Sequence, residues 1–275
     1  MTDLSRGVRL AALDIDGTIV DHDGLLTERV RTAVRRVAES GVHVVISTGR
    51  SVHATLPVLD RLGLQSGYTV CSNGAVVLRL DPELDRGFEV VHREEFDPTA
   101  ALKLLRDHLP TALYAVEVVG EGYRLTAPFP PGELFGPADV VPFEDLLDGP
   151  ATRVIVRSTD HTSAEFLELT ERLGLHEVSY AVGWTAWLDL APDGVSKASA
   201  LEIVRRRLAV PADATLAVGD GRNDLEMFAW AARSVAMGQA VPEVLSAADE
   251  TTSSVAQDGL ALVLERLVLE RPVAD

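Results

Sequence analysis

Apolar positions come in two arrangements along this chain, and the change between them divides it. Near the amino terminus, Val8-Arg9-Leu10-Ala11-Ala12-Leu13 is an almost unbroken apolar run, the mark of a strand buried on both faces. Leu26, Val30, Ala33, Val34, Val37 and Ala38 then recur at helical spacing, with Thr27 placed to cap the helix, Glu28 in its first turn and Gly41 to stop it. Val42-His43-Val44-Val45-Ile46 reads as a second buried strand. A helix over 52–62, kinked at Pro57, and the strand Tyr68-Thr69-Val70-Cys71 follow. The last 85 or so residues repeat this grammar. A helix over 196–208 turns Ala200, Ile203, Val204 and Leu208 inward. It leads to the strand Thr215–Gly219, a helix over 224–232, the short strand Ser234-Val235-Ala236 and an amphipathic helix over 260–269. Strands alternating with helices predict a parallel sheet covered on both faces.

The middle is patterned differently. Between about 80 and 180, paired strands such as 112–119 and 123–126 flank the turn Gly120-Glu121-Gly122, and helices are predicted over 98–108 and 163–173. This is the signature of a separate α+β unit. The predicted architecture is a doubly wound, Rossmann-like α/β core formed by 1–79 and 187–275, interrupted by an α+β module over 80–186.

Charge sharpens the division and narrows the function. Residues 80–185 carry twenty acidic against eight basic side chains, so they hold most of the chain's net charge of −17. Such a chain lacks the basic face that nucleic acid or an anionic membrane surface requires. The single cysteine, Cys71, excludes a disulfide framework and a multi-cysteine zinc site; at a strand end it reads as a small apolar residue. The first residues lack the apolar core of a signal peptide, and no apolar run reaches the ~20 residues of a membrane span. A cytoplasmic protein is expected.

Polar clusters stand where the predicted strands end: Asp14-Ile15-Asp16-Gly17-Thr18, Ser47-Thr48-Gly49-Arg50, Ser72-Asn73-Gly74 and Gly219-Asp220-Gly221-Arg222-Asn223-Asp224. Gly194-Val195-Ser196-Lys197 opens a helix. Each cluster alone is also ordinary turn chemistry. In an open parallel sheet, however, the carboxyl ends of the strands form one ligand-binding edge, and there the clusters meet. Asp14, Asp16, Asp220 and Asp224 would repel one another unless a cation stood among them. A hard-oxygen, histidine-poor set suits Mg²⁺, which also accepts phosphate oxygens. Lys197, the Thr48 hydroxyl and the N–H groups of the Asp16-Gly17-Thr18 turn could then hold a phosphoryl group. One aspartate would attack phosphorus while the other moved the proton of the leaving alcohol and of the incoming water.

These motifs resemble the haloacid dehalogenase superfamily of phosphohydrolases. "DIDGT" is similar to its first motif, which implies Asp14 as nucleophile and Asp16 as general acid/base. "STGR" resembles the second, with Thr48 and the adjoining Gly49 at the phosphate. "GVSKASAL" resembles the third through Lys197. "GDGRNDLEMF" resembles the fourth, implying Asp220 and Asp224 as its acids and Asn223 at the phosphate. The resemblance implies Mg²⁺ held by Asp14, the backbone carbonyl of Asp16 and Asp220, with Asp224 behind them. "SNGA" and "TTSSVAQDGLA" look like the Cof-type branch, whose α+β cap, of the C2 class (C2B), is inserted between motifs two and three; no cap residue is assigned on this basis.

Rival motifs fail on particular residues. A calcium loop counted from Asp14 would need Gly and Glu where Ile19 and Leu25 stand. A dinucleotide fingerprint at "GDGRND" has Asp224 in place of its third glycine. A P-loop and a G-x-S-x-G elbow are missing altogether. A dehalogenase would not need Asp16. A phosphomutase or other phosphotransferase would keep the same clusters and remains the alternative to hydrolysis. The expected partner is a small phosphorylated metabolite, a sugar phosphate first and a nucleotide or phosphorylated cofactor next, because an acidic module repels polyanions. Trp184 and Trp187 read first as packing at the junction of module and core, with a place in the substrate pocket as the alternative. Arg50 could meet a phosphate or pair with an acid.

Overall fold

The structure, a computed structural model, describes residues 7–173, 178–182 and 186–269. Its strands are β1 (Leu10–Leu13), β2 (His43–Ser47), β3 (Gly67–Cys71), β4 (Val76–Leu80), β5 (Phe88–Arg93), β6 (Leu113–Val118), β7 (Gly122–Leu125), β8 (Ala138–Val140), β9 (Val154–Arg157), β10 (Val178–Val182), β11 (Trp187–Pro192), β12 (Thr215–Gly219), β13 (Arg233–Ala236) and β14 (Glu250–Thr251). The helices are α1 (Glu28–Glu39), α2 (Val52–Leu62), α3 (Thr99–His108), α4 (Ser163–Leu173), α5 (Lys197–Arg207), α6 (Leu225–Trp230), α7 (Pro242–Ala247) and α8 (Gly259–Leu269).

The larger sheet has the order β14-β13-β12-β1-β2-β3-β4-β5. From β14 to β3 every pairing is parallel, and β4 and β5 add antiparallel strands at one edge. The period-two geometry of a strand explains its two cores. Ala11 and Leu13 of β1 pack with residues of α1, α2 and α8, whereas Leu10 and Ala12 face residues of α5, α6 and α7. At α1 the hydroxyl of Thr27 accepts the Val30 N–H at 3.2 Å, and Gly41 turns the chain at φ +84°. α2 continues through Pro57 to Leu62. The chain winds outward from β1 through β2 and β3 on one side and from β12 to β14 on the other. A crevice therefore opens at the carboxyl ends of the adjacent strands β1 and β12.

The second sheet, of order β10-β11-β9-β6-β7-β8, packs one face on α3 and α4 through Leu102, Leu105 and Phe166. The division between the units differs from the predicted 80 and 187. β5 pairs with β4 in the core sheet, and β11 pairs with β9 and β10 in the cap sheet. The chain crosses between Arg93 and Phe96, whose N–H bonds Ala151 across the cap, and returns after Pro192. β5 is an edge strand with Glu89 and Val90 exposed, so its composition resembles the charged module rather than the core. The predicted helix over 224–232 is a tight turn at 222–224 followed by the shorter α6. Among the described residues, no helix is long and apolar enough to cross a membrane.

Candidate active site

Asp14 lies one residue past β1, where its N–H bonds the Val218 carbonyl of β12. Its carboxylate is buried, and Oδ1 accepts the Lys197 ammonium at 2.6 Å. Lys197 opens α5, held by the Ser196 cap, and its ammonium also reaches Asp224 Oδ1 at 2.6 Å. Asp224 Oδ2 accepts the N–H groups of Asp220 and Gly221, each at 2.9 Å. Asp224 therefore shapes the turn that presents Asp220. One carboxylate oxygen from each of Asp14, Asp220 and Asp224 lies within 4.8 Å of the others.

The electrostatics follow from burial. Loss of solvent raises the Asp14 carboxyl well above its usual range; Lys197 opposes this, and Asp224, Asp220 and Asp16 add to it. Asp220 is pushed up to about 6 by burial and by Asp224, against Gln239 and Lys197. Burial works against the Lys197 ammonium, but Asp14 and Asp224 outweigh it and keep it charged. Three clustered acids with one ammonium hold an excess of negative charge that a hard cation would relieve.

Asp16 stands apart from this buried group. Its side chain is 55% exposed and is gripped by Arg50, with Nε to Oδ2 at 2.9 Å and Nη2 to Oδ1 at 2.6 Å. Of the two roles open to Arg50, the structure shows the ion pair. Gly17, at φ +77°, makes the turn after Asp16, and a Cβ there would overlap the Asp220 carboxylate. Thr48 is fully buried, and its Oγ1 accepts the Arg50 N–H at 3.1 Å. Asn223 donates to the Asn73 side chain at 3.0 Å, joining the turns after β12 and β3.

A cavity of about 360 Å³ lies over these groups, between core and cap. Asp14, Asp16, Gly49, Asp220 and Asn223 line its core side; Thr48, Lys197 and Asp224 sit behind that surface. The cap contributes Tyr123, Arg153, Trp187 and Asp189. Trp187 is thus a pocket residue, edge-on to Phe129 at 5.7 Å, rather than only junction packing. Trp184 lies outside the described residues.

Sequence reasoning missed Gln239, whose Nε2 donates to the Gly17 carbonyl at 2.6 Å and to Asp220 Oδ2 at 3.2 Å. Gln239 follows β13, so the rule about strand ends could have found it; an uncharged amide drew no attention. Tyr123, Arg153 and Asp189 of the cap were missed because alternation within its strands was not read for a second, polar face.

A family model described as haloacid dehalogenase-like hydrolase matches residues 11–264. YkrA of Bacillus subtilis is 30% identical over 95% of this chain and 98% of its own length. The 5-amino-6-(5-phospho-D-ribitylamino)uracil phosphatase YcsE of the same organism is 28% identical over 95% of this chain and 96% of its own. Among solved structures, the HAD subclass IIB sugar phosphatase BT4131 superposes with a TM-score of 0.78 at 20% identity, covering 94% of this chain and 98% of that one.

Proposed function

Because the chain belongs to the haloacid dehalogenase-like hydrolases, we propose that it is a Mg²⁺-dependent phosphatase that cleaves a small phosphomonoester through an aspartyl-phosphate on Asp14. The observation that carries this reading is the buried Asp14–Lys197–Asp224 chain with Asp220 beside it, at the floor of a cavity.

The donor set fits Mg²⁺. Its oxygens are hard, it holds no histidine or cysteine, and burial, with the neighbouring acids adding to it, raises the Asp14 and Asp220 carboxyls, a cost that a cation among them would offset. Asp14, the Asp16 backbone carbonyl and Asp220 would hold the ion, with Asp224 behind them as the support of Asp220. Bound there, Mg²⁺ would neutralise the cluster and polarise the phosphoryl group.

The chain's own residues supply the rest. Asp14 attacks phosphorus through one carboxylate oxygen while Lys197, bonded to Oδ1, fixes the orientation of the group, and the bond from phosphorus to the leaving oxygen breaks. Thr48, Gly49, Asn223 and Lys197 offer donors to the phosphoryl oxygens. Asp16, on the exposed rim and protonated from solvent once substrate displaces Arg50, gives that proton to the leaving oxygen and later takes one from the water that attacks the acyl phosphate. Arg50 fixes the Asp16 carboxylate until substrate enters. The cap closes the cavity against bulk water and selects the leaving group. Sugar phosphates are the first candidates, since aromatic faces such as Trp187 suit a ring, and the sugar phosphatase BT4131 shares the fold.

The test is phosphate release from p-nitrophenyl phosphate and a panel of sugar monophosphates, with Mg²⁺ and with EDTA, alongside acid-quenched labelling from ³²P-substrate. Release that needs Mg²⁺, with acid-stable label on the wild type and none on Asp14→Asn, supports the reading. Asp14→Asn turning over at near the wild-type rate would refute it.

A further inference from the structure

The two faces of the cap sheet differ in a way the strand period explains. On β11, Leu188 and Leu190 face the apolar core beneath α3 and α4, so Trp187 and Asp189 face the other way, toward the cavity. The same alternation turns Val154 and Val156 inward and puts Arg153 on the cavity side. Arg153 is buried, and its Nε and Nη2 reach Asp189 at 2.7 and 2.6 Å. Both contacts fall on Oδ1. Among the described residues no hydrogen bond falls on Oδ2. Among the described residues, Asp189 is thus fixed by one oxygen while the other is left to accept.

The charges around it are balanced against a second anion. The guanidinium groups that line the cavity are engaged: Arg50 with Asp16, Arg153 with Asp189, and Arg222 with Glu243. Glu133, also at the cavity, is paired with Arg157. Beyond the site of the reacting phosphate, each guanidinium group of the described lining is thus already paired with an acid of the protein, which leaves a second anion no partner of its own.

We propose that Asp189, with Trp187 beside it on β11, selects the leaving group, favouring an uncharged ring that carries hydrogen-bond donors and rejecting one with a second anionic group. The proposal rests on the phosphatase reading above. Asp189 Oδ2 accepts a hydroxyl or amine of the leaving group, Trp187 offers its face to the ring, and Arg153 is a positioning residue that fixes which oxygen is presented.

Asparagine at 189 tests this with little change of shape. Arg153 requires an acceptor at Oδ1, so the amide nitrogen takes the place of Oδ2, and an acceptor becomes a donor. Steady-state kinetics in Mg²⁺ would compare glucose 6-phosphate and ribose 5-phosphate, which carry hydroxyls, fructose 1,6-bisphosphate, which carries a second phosphate, and p-nitrophenyl phosphate, which has neither. Wild type is expected to favour the better monophosphate over the bisphosphate by at least about tenfold in kcat/KM. Asp189→Asn should lower kcat/KM for that monophosphate by about 10–100-fold, mainly through KM, and change p-nitrophenyl phosphate by less than about threefold. Trp187→Leu, which leaves the ion pair alone, should raise KM for every ester whose leaving group is a ring, p-nitrophenyl phosphate included. Equal losses on all substrates from Asp189→Asn, no loss on any from either variant, or a wild type indifferent to the second phosphate would overturn the proposal while leaving the phosphatase reading intact. A wild type that releases phosphate from none of them would overturn both.

Discussion

Two residues without charge help Asp224 to set the position of the Asp220 carboxylate. Gly17 leaves the space it occupies, and Gln239 holds it by one hydrogen bond while tying down the Gly17 carbonyl with another. The Gln239 amide is itself anchored, because its Oε1 accepts the Val255 N–H at 2.9 Å. Groups that orient a metal ligand commonly change metal affinity by about 10–100-fold when removed. Gln239→Leu should therefore raise the Mg²⁺ concentration for half-maximal phosphate release by about tenfold with a smaller change in the maximal rate. Gly17→Ala should do more, since a Cβ both collides with Asp220 and disfavours φ +77°. A Mg²⁺ titration of activity for both variants checks the order; equal, unshifted curves would show that Asp220 is not so placed. The acids of this site were legible because carboxylates ending apolar strands are costly and need a reason. Gln239 was not, because an amide after a strand is indistinguishable from an ordinary turn residue.

Among the elements, α5 carries the site's one ammonium in a demanding setting. Ser196 caps it, with the Ser199 side chain returning a bond to the Ser196 N–H at 3.0 Å, so Lys197 is held in the first turn and aimed at Asp14 and Asp224. Gly74, at φ +108°, packs so close to the Ser196 carbonyl that a Cβ would overlap it, which makes the Ser72-Asn73-Gly74 turn the abutment of α5. Removing the ammonium leaves two buried acids facing each other. Lys197→Met should lower stability by about 3–5 kcal/mol, a fall in Tm of roughly 5–9 °C, besides abolishing turnover; calorimetry without substrate separates the two effects. A variant as stable as wild type would show that the acids do not depend on Lys197. The elements also show where periodicity informs and where it misleads. β1, β2 and β12 were plain because strands buried on both faces have no polar alternative. β5 and β11 were assigned to the wrong units because sheet membership is set by pairing across long sequence separation. An exposed edge strand such as β5, and a cap strand such as β11 that runs directly into the core, look locally like their neighbours in sequence.

At the scale of the whole molecule, the two units meet through a buried carboxylate. Glu117 of cap strand β6 accepts the Ser72 hydroxyl of the core at 2.7 Å and the Val52 N–H that begins α2. Burial raises the Glu117 carboxyl above its usual range, and the opposing pull of Arg153, Ser72 and Val52 does not cancel it. The folded protein then binds this proton more tightly than the unfolded chain. The contribution of Glu117 is complete below the ordinary carboxyl pKa of 4.5 and is lost as pH rises through the folded value. Glutamine at this position keeps an acceptor for Ser72 and has no charge to bury. Glu117→Gln should therefore melt above wild type at pH 7–8, with the gap narrowing as pH falls toward 4.5, as followed by circular dichroism across that range. A gap independent of pH would mean that burial does not shift Glu117, and a variant that falls further below wild type as pH rises would mean that the ionised carboxylate is favoured at the junction after all. The same sign governs any motion that lifts β6 from Ser72. Solvent reaching Glu117 stabilises its ionised form, so higher pH favours separation of cap and core, and replacement by glutamine removes that dependence along with the charge.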